Sequence, residues 1–444
     1  MAGKVVIEHR DALIYMLSEA AELEHAIMCQ YLFAGFSLKT SVAEGVDERQ
    51  LRHITRWKRQ VLSVAAEEML HLALANNLLA SIGAAPRVGR PNLPQAGRYY
   101  PPGVQLALVP FSERALRHFL FLERPEGINL ADAEGFESLQ EAEPLMSPAD
   151  IVPRPQHFTT VGALYRAIAE GFVNLAKRHG EEWLFIGPEY AQATAADFGW
   201  RDLVAVVDLP SALQAIETIV EQGEGTGAKW REAHYGRFLE VLGEYLTLRR
   251  EDPAFEPARP VIPAYVRPPV DAPHDLLVSD PMTARVLDVF NVSYEVLLYL
   301  LGRFFGHGHE TPEQLKALAD VAVGLMIQVI RPLGEKVTTL PAGAEHPGKT
   351  AGPSFEVFYR SGYMLPHTDA SWVLLHERLL ELCGYLDATI ERHPQQLSDI
   401  AAVGGALHRL AERLAAARPG LAERRISIPP EWGVGAVTTT DRPG

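Results

Sequence analysis

Cysteine is nearly absent from this chain: Cys29 and Cys383 are the only two in 444 residues, far apart and each inside a helical pattern. That scarcity excludes a disulfide framework and a cysteine-based zinc site, and it fits a reducing cytoplasm. A basic excess is missing as well. The net charge is −15 and the Lys and Arg residues are scattered, which excludes a general binder of nucleic acid or of an anionic membrane, since either needs a basic patch. No run of eighteen apolar residues occurs, and the N-terminus carries charge and helix where an export signal would carry an apolar core and a small-residue cleavage site. The expectation is a soluble, unexported, cytoplasmic protein whose partners are small molecules. A homodimer is left open.

What the chain has is helix. With 47% hydrophobic residues over 444 positions, it is long enough for two or three domains with real cores. Periodicity predicts helices at about 10–39, 47–83, 160–179, 211–222 and 228–249, then at about 281–305, 312–337, 369–392 and 396–417. Between the second and third lies an insertion, about 84–159, rich in Pro and Gly. Its runs Val104–Pro110 and His118–Leu122 read as short strands, and insertions of this length in bundles often act as lids or pocket walls. The segment 251–273 carries seven prolines and reads as an extended linker. The expected organisation is therefore a metal-binding helical domain at 1–250, a linker at 251–273, a helical companion domain at 274–425 that helps to shape the pocket, and an extended tail at 426–444.

The chemistry starts at Glu68-x-x-His71. Ile54, Trp57, Val61, Val64, Glu68, His71, Ala75, Leu78 and Ile82 recur three and four apart, which puts a carboxylate and an imidazole on the buried face of one helix. An unpaired buried carboxylate is costly, so such a position calls for a counter-charge, and a metal ion supplies one. The stripe Leu13, Leu17, Ala20, Glu24, Ile27, Tyr31 turns Glu24 inward. Glu22 and His25 share the Glu-x-x-His spacing but lie off that stripe. His234 lies on a third stripe with Trp230, Phe238, Val241, Tyr245 and Leu248. Glu221, or its competitor Glu224, ends a helix at a glycine turn, and Glu170 lies on the small-residue side of its own helix.

A bundle that offers a Glu from each of two helices and a Glu-x-x-His from each of two others can hold two metal ions side by side. Oxygen-rich ligands with one imidazole per ion suit iron first, with manganese and copper admitted. Such a site binds dioxygen at open positions, and Tyr31 and Trp57 are candidates for the cavity wall. The proposed ligands are Glu24, Glu68, His71, Glu170, Glu221 and His234. His307-Gly-His309 has the look of a metal clasp, but its flanking glycines and Glu310-Thr-Pro read as a loop and helix cap. Glu295, His376 and Glu377 have no Glu-x-x-His partner and read as core-edge or pocket residues of the second domain.

The runs Leu23-Glu-His-Ala-Ile-Met-Cys-Gln-Tyr-Leu32, Ala66-Glu-Glu-Met-Leu-His71, Ile219-Val-Glu-Gln-Gly-Glu-Gly225 and His234-Tyr-Gly-Arg-Phe238 resemble the ferritin-like domain of the iminophenyl-pyruvate dimer synthase family. Members of that family act in bisindole pathways such as those of violacein and rebeccamycin. The likeness continues through Arg331-Pro-Leu-Gly334 and Ala351-Gly-Pro-Ser-Phe-Glu356, although the bisindole enzymes are much longer. It implies an all-α fold, a ferritin-like metal bundle joined to a helical companion, and an oxidative role on amino-acid-derived small molecules in secondary metabolism. One position departs from the usual pattern: Arg231 stands three before His234, where a second Glu-x-x-His would have its carboxylate. Arg cannot bind a metal, so a second ion needs a carboxylate from Glu221, preferred, or Glu224. Should neither approach His234, a mononuclear or metal-free bundle is the expected description. The readings to be separated are a metal-dependent, dioxygen-using oxidase or oxygenase, an iron-binding storage protein with ferroxidase-like behaviour, and a metal-free scaffold or partner subunit.

Overall fold

The computed structural model describes residues 5–93, 106–134, 136, 151–153, 156–225, 230–263, 276–358 and 364–423. The chain divides into two compact units, Met1–Ala258 and Arg259–Gly444. The division falls inside the proline-rich segment, of which 264–273 lies outside the described residues, as does the expected tail.

In the first unit, α1 (Arg10–Ser37) and α2 (Glu48–Ser81) are the long helices. The start of α2 follows from local chemistry: Asp47 accepts from the Gln50 amide while the Gln50 side chain accepts from the Asp47 amide, which satisfies two donors that the first turn leaves open. Next come α3 (Glu113–Leu122), begun at Ser112, and α4 (Val161–His179), begun at Thr160. The short α5 (Glu181–Leu184) and α6 (Ala195–Phe198) lead to α7 (Leu209–Gly223), which Asp208 caps and Pro210 opens, and then to α8 (His234–Glu251). Helix α1 lies against α2 and α4, and α7 lies against the same two, so these four close a bundle. Helix α8 packs on α3 and on α2 from outside that ring.

Two expectations change here. The run His118–Leu122 belongs to α3, because Ala115, Leu116, Phe119 and Leu120 bury one helical face, and five apolar residues are too few to fix a period. Residues 106–110 are described without regular structure, while 104 and 105 lie outside the described residues. Helix α8 begins at His234, so Trp230 precedes it and forms no part of its stripe.

The second unit is helical too: α9 (Pro281–Phe305), α10 (Pro312–Leu325), α11 (Arg331–Val337), α12 (Thr368–Arg392), α13 (Pro394–Leu397) and α14 (Ala401–Ala417). Helices α9 and α14 each lie against both α10 and α12. A π turn at Met326–Ile330 splits the expected 312–337 helix just before Pro332, whose ring fits the start of α11 but not a helix interior. The stretch Pro312–Val337 is long and apolar enough to cross a membrane, and 61% of its apolar window is packed inside the fold. The strands β1 (Val261–Ile262) and β2 (Thr350–Ala351) form one short parallel pair. The His307-Gly-His309 segment is a loop, pinned where the Arg303 guanidinium and the Trp372 Nε1, 3.1 Å away, both donate to Glu310.

Trp57 anchors the first unit. It is fully buried, stacks on Phe111 at 5.6 Å and 15°, and donates from Nε1 to Glu244 at 2.6 Å. Trp57→Ala is expected to lower stability by about 3–5 kcal/mol in urea unfolding, the cost of a large core truncation. Trp183→Ala, at a residue that is 67% exposed, is expected to stay within about 0.5 kcal/mol of the parent.

Candidate metal centre

Glu68 stands at the centre of the site with one oxygen turned to each of two histidines. Its Oε2 lies 3.1 Å from His71 Nδ1 and its Oε1 lies 2.8 Å from His234 Nδ1. Glu24, one helix over, brings Oε2 to 3.7 Å from His71 Nδ1, and Glu123 brings Oε2 to 3.6 Å from His234 Nδ1. The result is two triads, Glu24–Glu68–His71 and Glu68–Glu123–His234, whose ligand atoms lie within 4.8 Å of one another in each group. The imidazoles are roughly parallel, with centroids 5.3 Å apart. All five side chains are buried, Glu123 the most exposed of them at 6%.

The outer nitrogens are held as well. His71 Nε2 lies 3.0 Å from Gln222 Oε1, and His234 Nε2 lies 3.0 Å from Glu67 Oε2. Arg237 donates to both Glu67 oxygens, from Nη1 at 2.9 Å and from Nη2. Tyr31 donates its hydroxyl proton to Glu123 Oε1. Tyr165 sits beside Glu24, which contributes to holding its hydroxyl pKa well above the usual value, although burial is the larger cause.

Burial and mutual repulsion set the charges. Desolvation first, then the Glu68 charge, pushes Glu24 up to about 8. Burial opposes a charged His71, but Glu68 and Glu24 outweigh it and raise His71 to about 10. His234 is likewise held well above its ordinary range by Glu68 and Glu123 against burial. Glu68 is held well below the usual carboxylate range: burial works the other way, and the two histidines overcome it. Glu123 is raised by burial and by Glu68. Glu67 falls to about 2, since His234 and Arg237 outweigh the effect of burial.

The donor set fits a pair of metal ions. Five buried ligands of oxygen and imidazole type converge, one carboxylate faces both histidines, and each imidazole has its far nitrogen engaged, as metal-bound imidazoles almost always do. Each imidazole turns its near nitrogen to carboxylates, His71 Nδ1 to Glu68 and Glu24 and His234 Nδ1 to Glu68 and Glu123, an arrangement in which an ion could take the place of the proton.

The structure gathers four of the six expected ligands and leaves two outside. Glu24, Glu68, His71 and His234 meet. Glu170 and Glu221 do not: both are exposed, because α4 and α7 turn other residues inward at those turns. Glu224, the competitor, is buried but engaged elsewhere, accepting from Thr160 Oγ1 and Arg166 Nη2, each at 3.1 Å. A Cβ on Gly162 would come within 2.1 Å of its Oε1, so that glycine makes its seat. Neither Glu221 nor Glu224 reaches His234, yet the second triad is complete, because the missing carboxylate comes from the insertion at Glu123. A sequence signal for it existed. Glu123 caps the C-terminal end of α3 before Arg124-Pro125, where the helix dipole disfavours an acid and so calls for a counter-charge.

Trp57 does not line the cavity beside the triads, and Tyr31 reaches the site through Glu123. The off-stripe pair is buried too, away from both triads: Glu22 accepts from Arg87 Nε at 2.5 Å, and His25 is lowered well below its usual range by burial and by the Arg90 charge. Their burial reflects how completely α1 is enclosed. The cavity has about 330 Å³ of free space, some of it open to solvent. Glu24, Glu68, His71, Glu123 and Tyr165 form its polar side, and Ile27, Leu122, Val161, Ile219 and Val220 its apolar side.

The Ferritin-like family model matches residues 17–243. Over 442 aligned residues the chain is 28% identical to dichlorochromopyrrolate synthase of Lentzea aerocolonigenes, covering 90% of this chain and 42% of that protein. Over 381 residues it is 27% identical to 2-imino-3-(indol-3-yl)propanoate dimerase of Chromobacterium violaceum, covering 79% of this chain and 34% of that protein. The chain thus spans less than half the length of these curated relatives. A crystal structure of a ferritin-like protein from Caulobacter vibrioides aligns with TM-score 0.46 and 17% identity, covering 75% of this chain and 96% of that one.

Elemental analysis should show Glu68→Ala losing nearly all bound metal and Glu123→Ala about half, while Glu170→Ala and Glu221→Ala keep it. Retention in Glu123→Ala with loss in Glu221→Ala would reverse the assignment. A second expectation follows from charge. With Glu24 at about 8 and His71 at about 10, both carry their protons at pH 7, and binding must displace them. An indicator dye should therefore report proton release on adding metal at pH 7. Affinity should rise from pH 6 to 8 by about tenfold per unit for each proton displaced, and more slowly above pH 8, where Glu24 is already ionised.

Proposed function

The chain belongs to the ferritin-like family, and on that premise we propose that it is a metal-dependent oxidase or oxygenase that uses dioxygen to oxidise an amino-acid-derived small molecule. The observation that carries this reading is the pair of buried triads sharing Glu68 beside a cavity. Glu24, Glu68 and His71 would hold one ion, and Glu68, Glu123 and His234 the other. Iron is the metal that the oxygen-rich donor set favours. When bound, a redox-active pair would supply the electrons that reduce dioxygen.

The protein's own part is to shape and dry the site. Ile27, Leu122, Ile219 and Val220 form an apolar wall that limits water at the triads and strengthens every charge interaction there. Gln222 and Glu67 orient the two imidazoles from behind. Tyr31 fixes Glu123 by donating to one oxygen, which leaves the other for metal. The Tyr165 hydroxyl, buried on the cavity wall, is placed to hold or give a proton to a substrate atom near Glu24.

The substrate class is inferred from the relatives, one of which is named for an indole-bearing imino acid. The apolar residues Ile27, Leu122, Val161, Ile219 and Val220 beside the triads are the surface that an aromatic ring would meet. We therefore place this chain in secondary metabolism, acting on an aromatic imino or amino acid derivative.

The test is dioxygen consumption by protein loaded with two ferrous ions per chain, recorded with and without aromatic imino acids. Uptake that depends on the organic compound and disappears in Glu68→Ala is expected. Uptake that scales only with added ferrous ion, far beyond two per chain, would identify a storage protein. No metal retention at all would leave a scaffold.

A further inference from the structure

The two halves of the site are backed differently. Both histidines turn Nδ1 toward the shared Glu68 and Nε2 outward, but the outward nitrogen of His71 meets the neutral amide oxygen of Gln222, whereas that of His234 meets the carboxylate of Glu67. Arg237 grips that carboxylate through both its oxygens and keeps it ionised and aimed. Among the carboxylates, Glu123 has Oε1 tied by the Tyr31 hydroxyl, and Glu24 lies beside Tyr165. The cavity borders both triads, being lined by Glu24, Glu68, His71 and Glu123.

Resting on the two-ion reading above, we infer that the positions are unequal by construction: His234 holds a resident ion, tightly bound, and His71 holds the more weakly bound ion. The physical reason is the acceptor behind each ring. When Nδ1 is the ligand, Nε2 carries the proton and donates it outward. A charged acceptor makes that hydrogen bond about twice as strong as a neutral one, and the imidazole becomes a better electron donor to its metal. Outer partners of this kind change metal affinity by about 10–100-fold. The tied Glu123 adds preorganisation, since one of its rotations is already fixed. Glu67 and Arg237 are thus positioning residues, acting through His234.

Titration of metal-free full-length protein with manganese(II), followed by calorimetry and electron paramagnetic resonance, tests this. The parent should take up two ions in steps at least tenfold apart. His234→Ala should remove the tight step and His71→Ala the weak one. Glu67→Gln, which puts the same amide behind His234 that His71 already has, should weaken the tight step by about 10–100-fold and leave the weak step within threefold. Gln222→Glu should strengthen the weak step and narrow the gap, an independent check should Glu67→Gln fold poorly. Equal steps in the parent, or a Glu67→Gln effect confined to the weak step, would overturn the inequality while sparing the two-ion reading. A parent that binds fewer than two ions would overturn that reading itself, and this inference with it.

Discussion

One buried carboxylate facing two imidazoles is the constraint around which the first unit is arranged. Glu68 is 2% exposed, and each of its oxygens points to a different histidine. In water such contacts would be weak, but burial makes them strong and makes their absence costly. Neighbouring elements are therefore recruited to the same few ångströms: α1 brings Glu24, the end of α3 brings Glu123, the start of α8 brings His234 and the end of α7 brings Gln222. A metal-free site of this kind stores unfavourable interactions, visible in the raised Glu24 and Glu123 carboxyls. Cations would relieve them.

The architecture also separates support from reaction. The ring of α1, α2, α4 and α7 is a bundle in its own right, yet only Glu24, Glu68 and His71 of the two triads come from it. The other two triad residues sit at helix ends outside the ring, one at the C-cap of α3 and one at the first residue of α8. Helix ends can approach a site end-on, where backbone direction changes. That is how an insertion between bundle helices comes to supply a ligand, and how Tyr31 of the bundle comes to brace it. Helices α4 and α7 add Gly162, Tyr165, Ile219, Val220 and Gly223 to the cavity lining, and Glu224, held by Thr160 and Arg166, lines the same cavity.

Periodicity alone marked the long helices to within a few residues and turned Glu24, Glu68, His71 and His234 inward, where all four are buried to 2% or less. It worked because a long amphipathic helix repeats its signal over several turns. Glu170 and Glu221 had no such stripe behind them, one resting on small neighbours and the other on a glycine turn, and both are exposed. Periodicity failed for Glu123, which follows a ten-residue helix and has no stripe of its own. Glu22 and His25 lie off the Glu24 stripe and outside both triads, yet they are buried, because α1 has hardly any solvent face.

Sequence by itself determined the all-α character, the capped starts of α2, α4 and α7, and the presence of acids and imidazoles on apolar stripes, because each of these is local and repeats along the chain. Only the tertiary structure decided which carboxylate completes the second triad, that Glu68 is shared, and that Glu67 and Gln222 stand behind different histidines. Those are contacts between residues as much as 167 positions apart, such as Glu67 and His234. They depend on where helix ends meet in space, and no local period encodes that.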